Sequence, residues 1–268
     1  MLKDITLGQY FPGESVIHRL DPRVKIILTF AYIVLLFVAK GVLGYTVMLA
    51  VLCAVVAVSG IKVRVVLRSM RPLLFIIAFT AILNIFYTPG EELWHFWIFH
   101  ITREGIETAI YMALRIAMLI AGTFVLLTYT TSPIMLTDGI ESLLRPLQKI
   151  HLPVHELAMM MTIALRFIPT LIEETDKIIS AQKARGADFE SGNLLQRAKA
   201  LVPILVPLFV SAFRRADELA IAMECRCYRG GESRTRLKEL RMTQLDYGAL
   251  ACTVIVGVLV ILSRTFPL

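Results

Sequence analysis

Two arginines stand out by type and spacing. A shift of 41 positions lays Asp176 on Asp217, Ile178 on Leu219, Ala181 on Ala222 and Arg185 on Arg226, so the pattern Asp-x-Ile/Leu-x-x-Ala-x-x-x-Arg occurs twice. Both copies are rich in helix formers and run out just after the arginine, which makes Gly186 and the Gly230-Gly231 pair the expected stop signals. An arginine at a helix C-terminus lies where the negative end of the macrodipole stabilises it. Its planar fork can make two parallel hydrogen bonds to a carboxylate on another protein. The chemistry this predicts is docking, one arginine to each of two receiving grooves. The plainer reading is two solvated helix ends with basic caps.

Other reactive residues point to less. Cys225 and Cys227 flank the second arginine, while Cys53 and Cys252 lie inside apolar runs. A lone Cys-x-Cys is a poor metal signature and implies no disulfide framework. His151 and His155 have a spacing that could hold a metal on one helix face, but Pro153 between them argues for a helix start and two interfacial histidines. The glycine pair with phosphate-loop spacing, Gly8 and Gly13, is followed by Glu14-Ser15 rather than Lys-Ser/Thr, so ATP hydrolysis by this chain is not expected. No Ser/His/Asp set or intramembrane carboxylate pair stands out, and neither catalysis nor a cofactor is expected. Met159, Met160 and Met161 form a run of adaptable side chains suited to partners that exchange, or to core filling.

The elements that must position these residues are apolar. The chain has 268 residues, 57% of them hydrophobic and 18% charged, with a mean hydropathy of +0.70. That composition excludes a soluble domain and predicts an all-α integral membrane protein. Met1 to Lys25 has no apolar core of signal-peptide length, so the first hydrophobic helix is expected to insert as a true span. Asp21-Pro22 marks a helix start feeding Ile26 to Ala39, the first span. Val42 to Val58 is the second, with Ala50 and Ala54, or Cys53 and Ala57, at close-packing spacing.

Lys62, Arg64, Arg68 and Arg71 read as a basic loop before a short third span, Leu73 to Phe86. Thr88 to Gly105, with Glu91, Glu92, Trp94, Trp97 and His100, reads as an acidic outer loop with interfacial aromatics. The fourth span, Ile106 to Leu127, carries an alanine ladder at 109, 113, 117 and 121 and an intramembrane Arg115, which needs a partner or a route to an edge. Ile134 to Ile150 is amphipathic and reads as an interfacial helix. Leu157 to Ile172 and Leu201 to Phe213 contain Pro169, Pro203 and Pro207. They read as the buried halves of two long kinked helices that lie along or dip into the bilayer and lead out to the arginine-tipped ends, and Tyr247 to Leu262 reads as a fifth span. Three regions follow: residues 1–128 as a four-helix membrane region, 129–246 as a coupling region, and 247–268 as a closing transmembrane helix.

Of 28 Lys and Arg residues, 24 fall in residues 1–25, 62–71 and 129–246. The positive-inside rule puts these segments, the amino terminus and both tips in the cytoplasm, and Glu91 and Leu268 outside. The excess of +7 thus follows the inner membrane face, and a nucleic-acid partner is not expected.

The runs His18-Arg19-Leu20-Asp21-Pro22-Arg23, Leu165-Arg166-Phe167-Ile168-Pro169, Ala184-Arg185-Gly186 and Ala222-Met223-Glu224-Cys225-Arg226-Cys227-Tyr228 together resemble the transmembrane T component (EcfT, CbiQ-like) of energy-coupling factor transporters, over nearly the whole chain. The resemblance implies a bacterial plasma-membrane scaffold whose two crossed coupling helices end in Ala-Arg-Gly-type signatures. Their arginines would dock into two ABC ATPase subunits, and a separate membrane S component would bind the vitamin or metal ion. Ala184, Arg185 and Gly186 match the signature in full. At the second tip Cys225 and Cys227 stand where alanine and glycine are expected around Arg226. Met159, Met160 and Met161 become candidates for S-component contact. The alternative from another class is a membrane-embedded enzyme or sensor whose cytoplasmic arginines bind lipid phosphates or a signalling partner.

Overall fold

A computed structural model describes residues 10–96, 99–150, 152–187, 189, 193–230 and 240–265. Its elements in order are α1 (Val16–Arg19), α2 (Pro22–Val38), α3 (Gly41–Ser59), α4 (Val63–Met70), α5 (Leu74–Tyr87), β1 (Glu92–Phe96), β2 (Phe99–Thr102), α6 (Arg103–Thr123), α7 (Pro133–Leu144), α8 (Val154–Ala184), α9 (Leu194–Cys225) and α10 (Gln244–Thr265). Short 3-10 segments join α4 to α5 and follow α7, and a π-helical turn, Phe124–Tyr129, extends α6. The protein is an all-α membrane protein with one small hairpin. Among the described residues six helical stretches are long and apolar enough to cross a bilayer: α3, α4 with α5, α6 with its π turn, α8, α9 and α10. α2 is apolar too, but has only 17 residues.

Local chemistry fixes the ends. Asp21 caps α2 by accepting the Arg23 N–H at 2.9 Å, with Pro22 in the first turn, as the Asp-Pro pair predicts. Thr102 caps α6, accepting the Gly105 N–H at 3.0 Å and donating to the Thr88 carbonyl at 2.8 Å. α9 opens on a capping box, Asn193 with Gln196.

The described residues divide into two compact units, one built from residues 10–139 and 240–265 and the other from residues 140–230. In the first, α10 packs on α2 and α3, and α6 packs on α2, α3 and α5. Tyr32, Leu36, Met48, Met118, Val125, Tyr129 and Val260 form its buried centre. The Tyr32 hydroxyl donates to the Met118 carbonyl at 3.0 Å. A Cβ at Gly122 would fall 2.3 Å from the Tyr32 ring, so that approach needs glycine. Outward faces are apolar, with Phe30, Phe37, Phe75 and Tyr87 well exposed, the surface a bilayer solvates.

The unit is tied at one end by a buried polar knot. Lys25 Nζ donates to the carbonyls of Thr130 (2.8 Å) and His18 (3.2 Å). Asp246 accepts the Asp21 N–H at 2.8 Å and both the N–H and hydroxyl of Thr243. Lys25 and Asp246 are wholly buried. The knot joins the start of α2, the end of the π turn and the start of α10.

Several sequence expectations change. The basic stretch is not a loop: Val63–Met70 is helix α4, because its apolar residues recur at helical spacing, and it runs almost without a break into α5. The stretch expected as an outer loop contains a two-stranded antiparallel hairpin, with Trp94 opposite Ile101 and Phe96 opposite Phe99; Trp97 lies outside the described residues. The small residues of α3 do not make its seam. Ala50, Cys53, Ala54 and Ala57 are exposed, and the helix packs through Gly44, Tyr45, Met48 and Leu52. In the alanine ladder of α6, Ala109 and Ala121 are buried. The amphipathic stretch is two elements, since Pro146 breaks it and α7 gives way to a 3-10 segment at Arg145.

Candidate docking tips on two long helices

The second unit is built on α8 and α9, of 31 and 32 residues, about 46 and 48 Å at 1.5 Å per residue. They carry Pro169 in α8 and Pro203 and Pro207 in α9, as the sequence predicts for long kinked helices. Along those halves their apolar residues are largely left partly or fully exposed within this chain, the kind of surface that lipid or another protein covers. Val154, Ala158 and Ile204 are their only buried residues among those described. The two helices pack on one another, with Arg215 Nη2 donating to Glu174 Oε2 at 2.7 Å and Gln182 Nε2 donating to the Pro203 carbonyl at 3.4 Å.

Both helices stop at their arginine, and in the same way. On α8 the Gly186 N–H bonds the Lys183 carbonyl and the Ala187 N–H bonds the Gln182 carbonyl, both at 3.0 Å. On α9 the Cys227 N–H bonds the Glu224 carbonyl at 2.8 Å and the Tyr228 N–H bonds the Met223 carbonyl at 3.0 Å. Each is a Schellman cap, which satisfies carbonyls of the last turn and needs a left-handed residue just past the end. Gly186 takes that conformation with φ +85° and Cys227 with φ +57°. The glycine pair at 230 and 231 is therefore not the stop of the second helix; α9 ends at Cys225, and Gly231 lies outside the described residues. Cys227 performs the glycine's role despite its side chain.

Ala184, Arg185, Gly186, Cys225, Arg226 and Cys227 are all exposed, so the caps present two guanidinium groups outward on ordered helix ends. Neither Arg185 nor Arg226 has an acidic partner among the described residues. Such tips can reach a carboxylate on another molecule at no cost in broken internal pairs.

The remaining candidates sort clearly. Met160 and Met161 are exposed on α8 and Met159 is half-buried. His155 Nδ1 meets Glu141 Oε1 at 2.9 Å, and His151 lies outside the described residues. Among the described residues no group of three His, Cys, Asp or Glu could hold a metal. In the other unit the Arg115 guanidinium sits over the rings of Phe37 and Tyr45, 5.6 and 5.7 Å from their centroids, a cation–π environment rather than an ion pair. Two features escaped the sequence reading. The Lys25–Asp246 knot joins residues 221 positions apart, and only its flanking of two apolar runs hinted at it. The Glu174–Arg215 pair lay within reach, because its members are separated by the repeat offset.

The CbiQ family model, described as cobalt transport protein, matches residues 13–237, a stretch that takes in both tips. The chain belongs to the CbiQ/EcfT family. It is similar to the energy-coupling factor transporter transmembrane protein EcfT of Thermosediminibacter oceani, with 58% identity over 263 residues covering 98% of this chain and 99% of that protein. The same-named proteins of Ruminiclostridium cellulolyticum and Bacillus subtilis are 55% and 45% identical over 264 and 265 residues, each covering 98% of this chain and 98% and 100% of the relative. This CbiQ/EcfT chain is thus a transmembrane transport protein, and its paired tips are features of a transporter component.

Proposed function

We propose that the chain is the energy-coupling subunit of an ABC-type importer, passing the ATP-driven motion of two ATPase subunits to a membrane S component that binds a vitamin or metal ion. The observation that carries this reading is the pair of identically capped, exposed arginine tips, which suits two like receiving surfaces. The relatives' shared name, energy-coupling factor transporter transmembrane protein, supports the same role. ATP is hydrolysed by the partners.

In this arrangement α2, α3, α5, α6 and α10 cross the bacterial plasma membrane, and α8 and α9 lie along its cytoplasmic side. The apolar run of α9 between Lys199 and Arg214 favours the second part. It covers about 21 Å at 1.5 Å per residue, short of a hydrocarbon core about 30 Å thick. Each docked arginine would be partly desolvated against an acidic groove. Truncating one member of such a pair costs about 2 to 5 kcal/mol, against less than about 1 kcal/mol for an exposed surface pair.

The test is to purify the complex with Arg185→Ala, Arg226→Ala and both. Each single change is expected to weaken ATPase retention about thirty-fold or more, and the double change far more, since a two-point attachment loses both anchors. Lysine should recover part of the loss, because it keeps the charge without the fork. A double alanine variant that inserts, holds both ATPases at moderate salt and supports normal ATP-dependent uptake would remove the docking role.

A further inference from the structure

The contact between α8 and α9 falls at a special place in the repeat. Under the shift of 41 that lays Arg185 on Arg226, Glu174 falls on Arg215, and these two side chains meet at 2.7 Å. Equivalent positions of two related segments touch one another only near the axis that relates them. Eleven residues separate Glu174 from Arg185 and eleven separate Arg215 from Arg226, so each tip lies about 16 Å along its helix from this contact. The second contact fixes the sense of the pair. From the first to the second, numbering rises on α8, from Glu174 to Gln182, and falls on α9, from Arg215 to Pro203. The helices therefore run in opposite directions, and the tips point away from each other.

Charge explains why this position can face itself. An identical residue in both copies would set like charges together, but here Glu173-Glu174 in one copy stands against Arg214-Arg215 in the other. A charge pair also tolerates a change of angle better than interdigitated side chains, which hold a few discrete arrangements. The Arg215 and Glu174 side chains keep 31% and 22% of their exposure, so the pair is partly solvated rather than sealed in a core. An open groove of about 500 Å³ adjoins it, lined by Phe167, Ser211, Arg214, Arg215, Glu218 and Leu219, which leaves room for the helices to turn.

We infer that the Glu174–Arg215 pair is the pivot about which α8 and α9 change their crossing angle when the tips are moved. The inference rests on the docking role of the tips proposed above. A movement that keeps the two copies equivalent leaves residues on the axis together and displaces others in proportion to their distance from it. Glu174 and Arg215 thus stay in contact, Gln182 shears past Pro203, and the arginine tips move most. The pair is a positioning pair: it touches neither ATP nor cargo.

The experiment uses the whole complex with its ATPases in lipid, and reads ATP turnover. In a chain freed of its native cysteines, one variant carries Glu174→Cys with Arg215→Cys, and the other Gln182→Cys with Pro203→Cys. Each is tethered with a short bis-methanethiosulfonate reagent, released with reductant, and compared with the unsubstituted chain treated alike. Tethering at 174 and 215 is expected to leave at least about half of the turnover measured before treatment. Tethering at 182 and 203 should lower it at least about tenfold, and reductant should restore it, which a misfolded variant would not show. Exchanging the charges, Glu174→Arg with Arg215→Glu, should keep turnover within about twofold of the native complex, whereas Glu174→Arg alone should lower it about tenfold. Reversible arrest by the 174–215 tether, or free turnover with the 182–203 tether, overturns the pivot. Neither result bears on docking, which stands or falls separately on ATPase retention by the Arg185 and Arg226 variants.

Discussion

At the scale of single residues, the two tips show how much a helix end depends on one backbone angle. A side chain in the left-handed region costs roughly 1 to 2 kcal/mol, while glycine carries an unfolded-state entropy cost of up to about 1 kcal/mol. Nothing lies within 4 Å of a Cβ placed on Gly186, so Gly186→Ala should loosen the α8 cap by conformation alone, by about 1 kcal/mol. Cys227→Gly should tighten the α9 cap by up to the same amount. Amide exchange at Ala187 and Tyr228, the outer donors of the two caps, is the measurement: about fivefold faster at Ala187 in the first variant, and up to fivefold slower at Tyr228 in the second.

Among the elements, α8 carries two candidate contact sites on one rod: the methionine run near its start and the arginine tip at its end. The run precedes Pro169, where the helix lacks one internal hydrogen bond. Met160 and Met161 are exposed rather than packed, so truncation should not open a cavity in this chain. Changing Met159, Met160 and Met161 together to alanine should weaken retention of the S component about tenfold while changing ATPase retention less than about twofold. Quantitative co-purification of both partners decides the matter. Equal loss of the two would make the run part of the helix packing.

For the whole molecule, the distribution of charge predicts the side each segment faces. The 24 basic residues assigned to the cytoplasm put both tips inside. In a chain freed of its native cysteines, single cysteines at Glu91 and Leu268 should label from outside intact cells. One at Gly192, between the two long helices in sequence, should label only after permeabilisation. Outside labelling at Gly192 would make α8 and α9 a transmembrane hairpin, which their length and composition permit, and would end the five-span arrangement.

The sequence by itself determined the class, because an apolar fraction of 57% leaves no soluble alternative, and it determined the paired tips, because a repeat is visible wherever a chain says the same thing twice. Local rules also sufficed for the start of α2 at Asp21-Pro22 and for the proline-bearing long helices, since caps and prolines act within a turn or two. Tertiary structure decided what depends on residues far apart. The seam of α3 runs through Tyr45 and Met48 rather than its alanines because burial follows the helices that α3 meets, α6 and α10, and on that side Tyr45 stacks on Tyr111. The stop of α9 fell to Cys227, whose strained angle a propensity scale does not anticipate but two cap hydrogen bonds hold. Lys25 and Asp246 became a buried knot only when α10 packed beside α2, for burial is a property of the assembled unit and no spacing along the chain encodes it.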